Sequence, residues 1–166
     1  IKWNPAVKTQ DDKGGLWEAL LDDRIDVIAT GRAPHTLEEK SQNYLKAPSG
    51  GPLVQHALNV MLENFKNDKI SLEKIVEKMC HNPAILFQIE KRGFIKEGFK
   101  ADLVLVDLNE KYTVAKENIL YKCGWSPFEG TEFHSKITHT FVNGFLAFEN
   151  GKVSEEKYGE RLLFDR

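Results

Sequence analysis

The chain has 166 residues, 41% of them hydrophobic and 29% charged, which suits one ordinary globular domain or parts of two. A net charge of -2 disfavours nucleic acid and anionic membrane surfaces as partners. No apolar run approaches the roughly 20 residues that span a bilayer, and the N-terminus lacks a signal-peptide h-region, so no membrane partner is expected.

In chain order, Ile1-Lys-Trp-Asn-Pro5 reads as a strand entered midway, without an initiator Met, and suggests a truncated front. Leu16-Trp-Glu-Ala-Leu-Leu21 has helical spacing. Gly14 and Gly15 before it each cost roughly 1 kcal/mol in a helix interior, so the helix is expected to begin only at Leu16. Ile25 to Thr30 reads as a β-branched strand that empties into a loop carrying Arg32, His35 and Thr36. Loops longer than about 12–15 residues are usually functional or disordered, and this one, ending in Ala47-Pro-Ser-Gly-Gly-Pro52, is read as an active-site loop.

From Leu53, the apolar series Val54, Ala57, Leu58, Met61, Leu62 and Phe65 predicts a helix with one buried face. Ser71 is the expected N-cap of the next helix, with Leu72, Ile75, Val76, Met79 and Cys80 inward and Asn82-Pro83 as its breaker. Cys80 is expected as a buried free thiol, and with only Cys80 and Cys123 a reducing, cytoplasmic setting follows. Beyond Gly93 the chain turns β-rich: Leu103–Val106, Ile137–Val142 and Phe145–Phe148, the last two joined across Asn143-Gly144, a type I′ hairpin signal. The tail from Glu155 is expected to be an irregular arm with a Leu162-Leu-Phe164 patch.

Several pieces together resemble the dihydroorotases of the amidohydrolase superfamily. Ile28-Ala-Thr-Gly-Arg-Ala-Pro-His-Thr36 is similar to the eighth-strand segment usually read I-A-T-D-H-A-P-H-T, with Gly31-Arg32 in place of Asp-His. Lys2-Trp-Asn-Pro-Ala6 looks like the K-x-N-P element, Ala47-Pro-Ser-Gly the A-P-x-G turn, and His81-Asn-Pro-Ala84 the N-P-A element. Gly93-x-Ile95 with Gly98-x-x-Ala-Asp-Leu-Val104 is similar to a general amidohydrolase signature, and Ser126-Pro-Phe-Glu-Gly130 to a dihydroorotase segment.

The resemblance implies an α/β fold: the C-terminal fragment of a TIM-type (β/α)8 metal-dependent hydrolase barrel, followed by part of a small β-sandwich. Residues 1–92 would be the terminal strands and helices of the barrel, 93–153 the β-rich part and 154–166 a C-terminal arm. The implied reaction is the reversible cyclisation of N-carbamoyl-L-aspartate to L-dihydroorotate in pyrimidine biosynthesis, with zinc activating a water. Every zinc ligand but one would lie before Ile1, and the last, an Asp that also moves the proton, is Gly31 here. No catalytic residue and no metal ligand is therefore expected in this chain, no zinc is expected on it alone, and Arg32 adds a fixed positive charge where cations would sit.

What the resemblance does carry over is a substrate cradle: Asn4 and His35 for the carboxylate and ring, Ser49 and Gly50 for the pyrimidine. The bland alternatives are a turn-forming Asn4 before Pro5 and a loop-capping His35. His56, His81, His134 and His139 show no H-x-H or H-E-x-x-H spacing, and the first two read as packing or capping residues. Alternatives of other classes are a non-catalytic dihydroorotase-like structural partner, for example of aspartate transcarbamoylase, and another cyclic amidohydrolase such as a hydantoinase or allantoinase. A homo-oligomer is a further implied assembly.

Overall fold

The computed structural model describes residues 2–31 and 33–165. The first helix, α1 (Gln10–Leu21), starts six residues earlier than Leu16 because its N-terminus is closed reciprocally: Asp12 N–H donates to Thr9 Oγ1 at 3.2 Å and Thr9 N–H to Asp12 Oδ2 at 3.0 Å. That capping box, with Asp11 and Asp12 on the positive end of the helix dipole, offsets the two glycines, which lie inside the helix.

Neither expected N-terminal strand forms. A strand needs a ladder partner, and the ladders of the described residues all involve segments after Asp102. Ile1 lies outside the described residues, and the Lys2 carbonyl bonds to the 40–50 region instead. The run from Ile25 is clamped by a helix: Lys78 Nζ donates to Ile25 O at 2.7 Å, Asn82 Nδ2 to Asp26 O at 2.8 Å, and Ile28 N–H to Lys78 O at 3.0 Å.

The long loop contains a short helix, α2 (Leu37–Lys40), capped by Thr36 and Glu39. A 3₁₀ turn at Val54–His56 then leads into α3 (Ala57–Lys66), and this start leaves Val54 55% exposed rather than in the core. Ser71 caps α4 (Leu72–Val76) as expected, accepting from Lys74 N–H at 3.1 Å. A π-turn at Glu77–His81 follows and interrupts the 3.6-residue stripe, so that Lys78 turns inward while Val76 and Cys80 are exposed. Cys80 is thus an exposed free thiol. Asn82-Pro83 does not stop the chain: α5 (Asn82–Leu86) runs on from the π-turn, and the Lys78 carbonyl, five residues before Pro83, accepts from Ile28 N–H instead.

These helices enclose Leu20, Met61, Ile70 and Ile75, with Trp17, Ile25, Ile28 and Leu58 packed around them. The β half is built from β1 (Leu103–Asp107), β2 (Tyr112–Thr113), β3 (Glu132–Phe133), β4 (Lys136–Val142), β5 (Phe145–Glu149) and β6 (Lys152–Val153). An antiparallel sheet runs β1-β4-β5-β6, and β2 pairs with β3 separately. Asn143 (φ 53°) and Gly144 (φ 86°) form the expected turn, both left-handed as type I′ demands.

Asn143 also fastens three segments. Its N–H donates to Asp102 Oδ1 at 2.8 Å, its Oδ1 accepts from Arg92 Nη2 at 2.7 Å, and its Nδ2 donates to Tyr158 O at 2.5 Å. Gly144 N–H donates to Ala101 O at 2.9 Å. The tail is irregular apart from an antiparallel bridge between Ile89 and Phe164. Helix and sheet halves are joined around the start of α3: Gln55 Nε2 donates to Asn118 O at 2.8 Å, Leu120 N–H to Gln55 Oε1 at 2.9 Å and Asn59 Nδ2 to Ser135 O at 3.2 Å.

Candidate functional site

Four stretches far apart in sequence pack into one surface. The Lys2 carbonyl accepts from Gly50 N–H at 3.0 Å and from Lys40 Nζ at 3.1 Å, and Lys40 Nζ also donates to Pro48 O at 2.9 Å. The Trp125 indole N–H donates to His35 O at 2.7 Å, across 90 residues of sequence. Through these bonds the segments bearing Asn4, His35, Ser49 and Gly50 are held against one another. Asn4 is exposed, Ser49 half-buried, Gly50 buried, and the His35 side chain 32% exposed.

Two glycines make the approach possible. A Cβ on Gly50 would stand 2.6 Å from Ala33 Cβ, and its φ of 96° is one that side chains rarely tolerate. A Cβ on Gly51 would stand 2.9 Å from Trp3 Cη2 and 3.2 Å from Trp125 Cη2, so this glycine lies against both indoles. The side of His35 is set by α2: His35 Nδ1 lies 3.7 Å from Glu39 Oε2. The bond from Thr36 N–H, above all, holds the Glu39 carboxyl below its ordinary value, keeping it an anion beside the imidazole.

The other histidines are elsewhere. His56 is fully buried, its Nδ1 3.1 Å from Ser126 Oγ; His81 stacks on Phe94 at 4.3 Å between centroids; His134 Nδ1 lies 2.9 Å from Glu63 Oε1 and His139 Nε2 3.3 Å from Glu149 Oε1. Among the described residues, no three His, Cys, Asp or Glu side chains stand together as a metal shell. Gly31 is exposed with open space where a Cβ would be, and Arg32, with its expected charge, lies outside the described residues. The described residues at this surface are an imidazole, an exposed amide and a seryl turn beside two indoles, a donor set that does not make a zinc shell.

Motif reading does not single out Trp3, Trp125 or Lys40, although Trp3 and Trp125 directly adjoin Asn4 and the Ser126-Pro-Phe-Glu-Gly130 segment. A recess of about 580 Å³ lies between the sheet and α3, lined by Ile137, Ala147, Phe148 and Val153 with Gln55 and Asn59. Its lining is mostly apolar and holds no convergent acid–base pair.

The amidohydrolase family model matches residues 15–147, and the chain belongs to that family. Within it, the chain is similar to dihydroorotases: 39% identical over 150 residues to that of Clostridium acetobutylicum, covering 90% of this chain and 35% of the relative. The dihydroorotase of Pyrococcus furiosus is 33% identical over 163 residues, 98% of this chain and 38% of that one. A stretch of the multifunctional protein pyr1-3 of Dictyostelium discoideum, 6% of its length, is 34% identical over 92% of this chain. Among solved structures, the L-hydantoinase (dihydropyrimidinase) of Arthrobacter aurescens superposes with a TM-score of 0.87 at 31% identity, over 97% of this chain and 37% of that one. The chain thus spans a little over a third of the length of the dihydroorotases it matches. No helix among the described residues is long and apolar enough to cross a membrane.

Proposed function

We propose that this chain forms the substrate-cradling part of a dihydroorotase-type cyclic amidohydrolase, which interconverts N-carbamoyl-L-aspartate and L-dihydroorotate in the cytoplasm. The observation that supports this reading is the packing of the Lys2, Pro48–Gly50 and His35 backbone segments, which bear Asn4, Ser49 and His35, through bonds to Lys40 and Trp125. An amide, an imidazole and the Ser49 N–H suit an anionic, planar ring bearing a carboxylate, while the Gly50 N–H is committed to the Lys2 carbonyl. In this reading, residues 1–92 supply the end of a barrel and 93–153 part of a sandwich. Zinc and its ligands belong to polypeptide outside this chain, which alone does not turn over substrate.

Two observations favour other readings. The superposition on a hydantoinase supports hydantoin as the ring recognised. Gly31, which has no side chain for metal or proton, favours a non-catalytic partner role beside an enzyme such as aspartate transcarbamoylase. Titrating ¹³C-histidine-labelled chain with dihydroorotate, hydantoin and allantoin separates them: a saturable shift of the His35 signal with dihydroorotate alone supports the proposal, a preference for hydantoin moves it to the hydantoinases, and no response to any ring sinks the cradle.

A further inference from the structure

The segment after Ile119 crosses to the loop that carries His35, and its attachment is more elaborate than a linker needs. Ser126 N–H donates to Glu129 Oε1 at 3.1 Å while Phe128 N–H donates to Ser126 Oγ at 3.2 Å, so Ser126 and Glu129 brace the turn by themselves. Ser126 Oγ lies 3.1 Å from His56 Nδ1, and both side chains belong to buried residues. His56 is enclosed by the rings of Tyr112, Tyr121, Phe128 and Phe133, with centroids 5.8 to 6.4 Å away. Its Nε2 has no hydrogen-bond partner among the described residues. In the tautomer with hydrogen on Nε2, Ser126 O–H donates to Nδ1 and Nε2–H lies among the surrounding aromatic rings.

That anchor sits one residue from Trp125, whose indole N–H fixes the His35 carbonyl and whose ring lies beside Gly51. We propose that Trp125, held by the His56–Ser126 pair, is a positioning residue that sets the aim of His35 at the bound ring. The route is short: His56 on the 3₁₀ turn, Ser126 at the start of its turn, Trp125 next in sequence, then the backbone of His35, whose imidazole Glu39 steadies from the other side. This rests on the cradle reading for its ligand but not for its geometry.

Trp125→Phe deletes the indole N–H together with the outer ring atoms that lie against Gly51, whereas Ser126→Ala deletes the anchor's hydroxyl alone. In ¹³C-histidine-labelled full chain, both substitutions are expected to move the His35 signal while leaving His134 and His139, on the β half, in place. Loss of one such hydrogen bond should weaken dihydroorotate binding about three- to tenfold. Introducing His35→Ala as well should abolish the difference in affinity that Trp125→Phe otherwise causes. If the His35 signal stays where it is in both variants, the positioning role is overturned. If it moves but the unaltered chain binds no dihydroorotate, the role stands and the ligand assignment fails.

Discussion

Lys78 Nζ sits 2.7 Å from the Ile25 carbonyl and 2.8 Å from Asp23 Oδ1, with only 1% of its side chain exposed. A buried ammonium held by a backbone carbonyl and a carboxylate fixes the run that leads to Gly31 to the π-turn beneath it. Lys78→Met keeps the stem and removes the bonds, leaving the Ile25 carbonyl without its donor. A loss of about 1–3 kcal/mol in urea unfolding is expected, and a change within error would remove the clamp from the account of this fold.

Asp23 carries the acid side of the same contact. Hydrogen bonds from Lys74 first and Lys78 second bring its pKa from 3.8 to about 2. The folded value is the lower one, so its contribution is complete above pH 3.8 and is lost as the pH falls toward 2. Asp23→Asn should flatten the stability profile across that window, read as denaturation midpoint against pH.

His56 behaves in the same direction at higher pH. Burial pushes its pKa below 6.5, so the unfolded chain binds the proton first and stability declines as the pH drops below 6.5. His56→Phe, which suits the surrounding rings, should remove that slope. A slope that persists in the variant would assign the acid sensitivity to other groups.

Gly51→Ala places a methyl 2.9 Å from the Trp3 ring and 3.2 Å from that of Trp125. Overpacking of this kind costs about 1–3 kcal/mol, and here it parts the two indoles. Tryptophan emission should shift, and affinity for a cradle ligand should fall. Unchanged emission would mean the indoles yield without consequence.

Gly31 tests the missing chemistry. Its φ of 53° strains a side chain, Asp less than most, and beyond its chain neighbours no described atom lies within 4 Å of the Cβ position, so space is open to Gly31→Asp. Under the proposed function, in a polypeptide that joins this chain to the remaining portion of a dihydroorotase, Gly31→Asp with Arg32→His is expected to raise dihydroorotate turnover. No gain over the parent would favour the non-catalytic partner.

Elements are legible in the sequence where local chemistry and packing agree. Ser71 caps α4, Asn143-Gly144 turns the hairpin, and the Ala57–Phe65 stripe is helical because each side chain's preference matches its surroundings. Ile25–Thr30 misleads, because its β-branched content signals a strand while its hydrogen bonds go to Lys78 and Asn82. Cys80 misleads too, since a π-turn changes the phase that periodicity assumes. Motifs mark the loops bearing His35 and Ser49; the indoles packed between them leave no such mark, because a contact across 90 residues has no local pattern.

The Asn143-Gly144 turn has a bearing on how the protein ages. Asn-Gly pairs deamidate when the glycine nitrogen attacks the asparagine amide carbon and closes a succinimide. Here that nitrogen is committed to the Ala101 carbonyl, while the amide is held at both its oxygen, by Arg92, and its nitrogen, by Tyr158. Ring closure would have to break all three bonds, so the folded chain should lose ammonia at this site far more slowly than the unfolded one. The bond that shapes the hairpin also protects it from chemical decay.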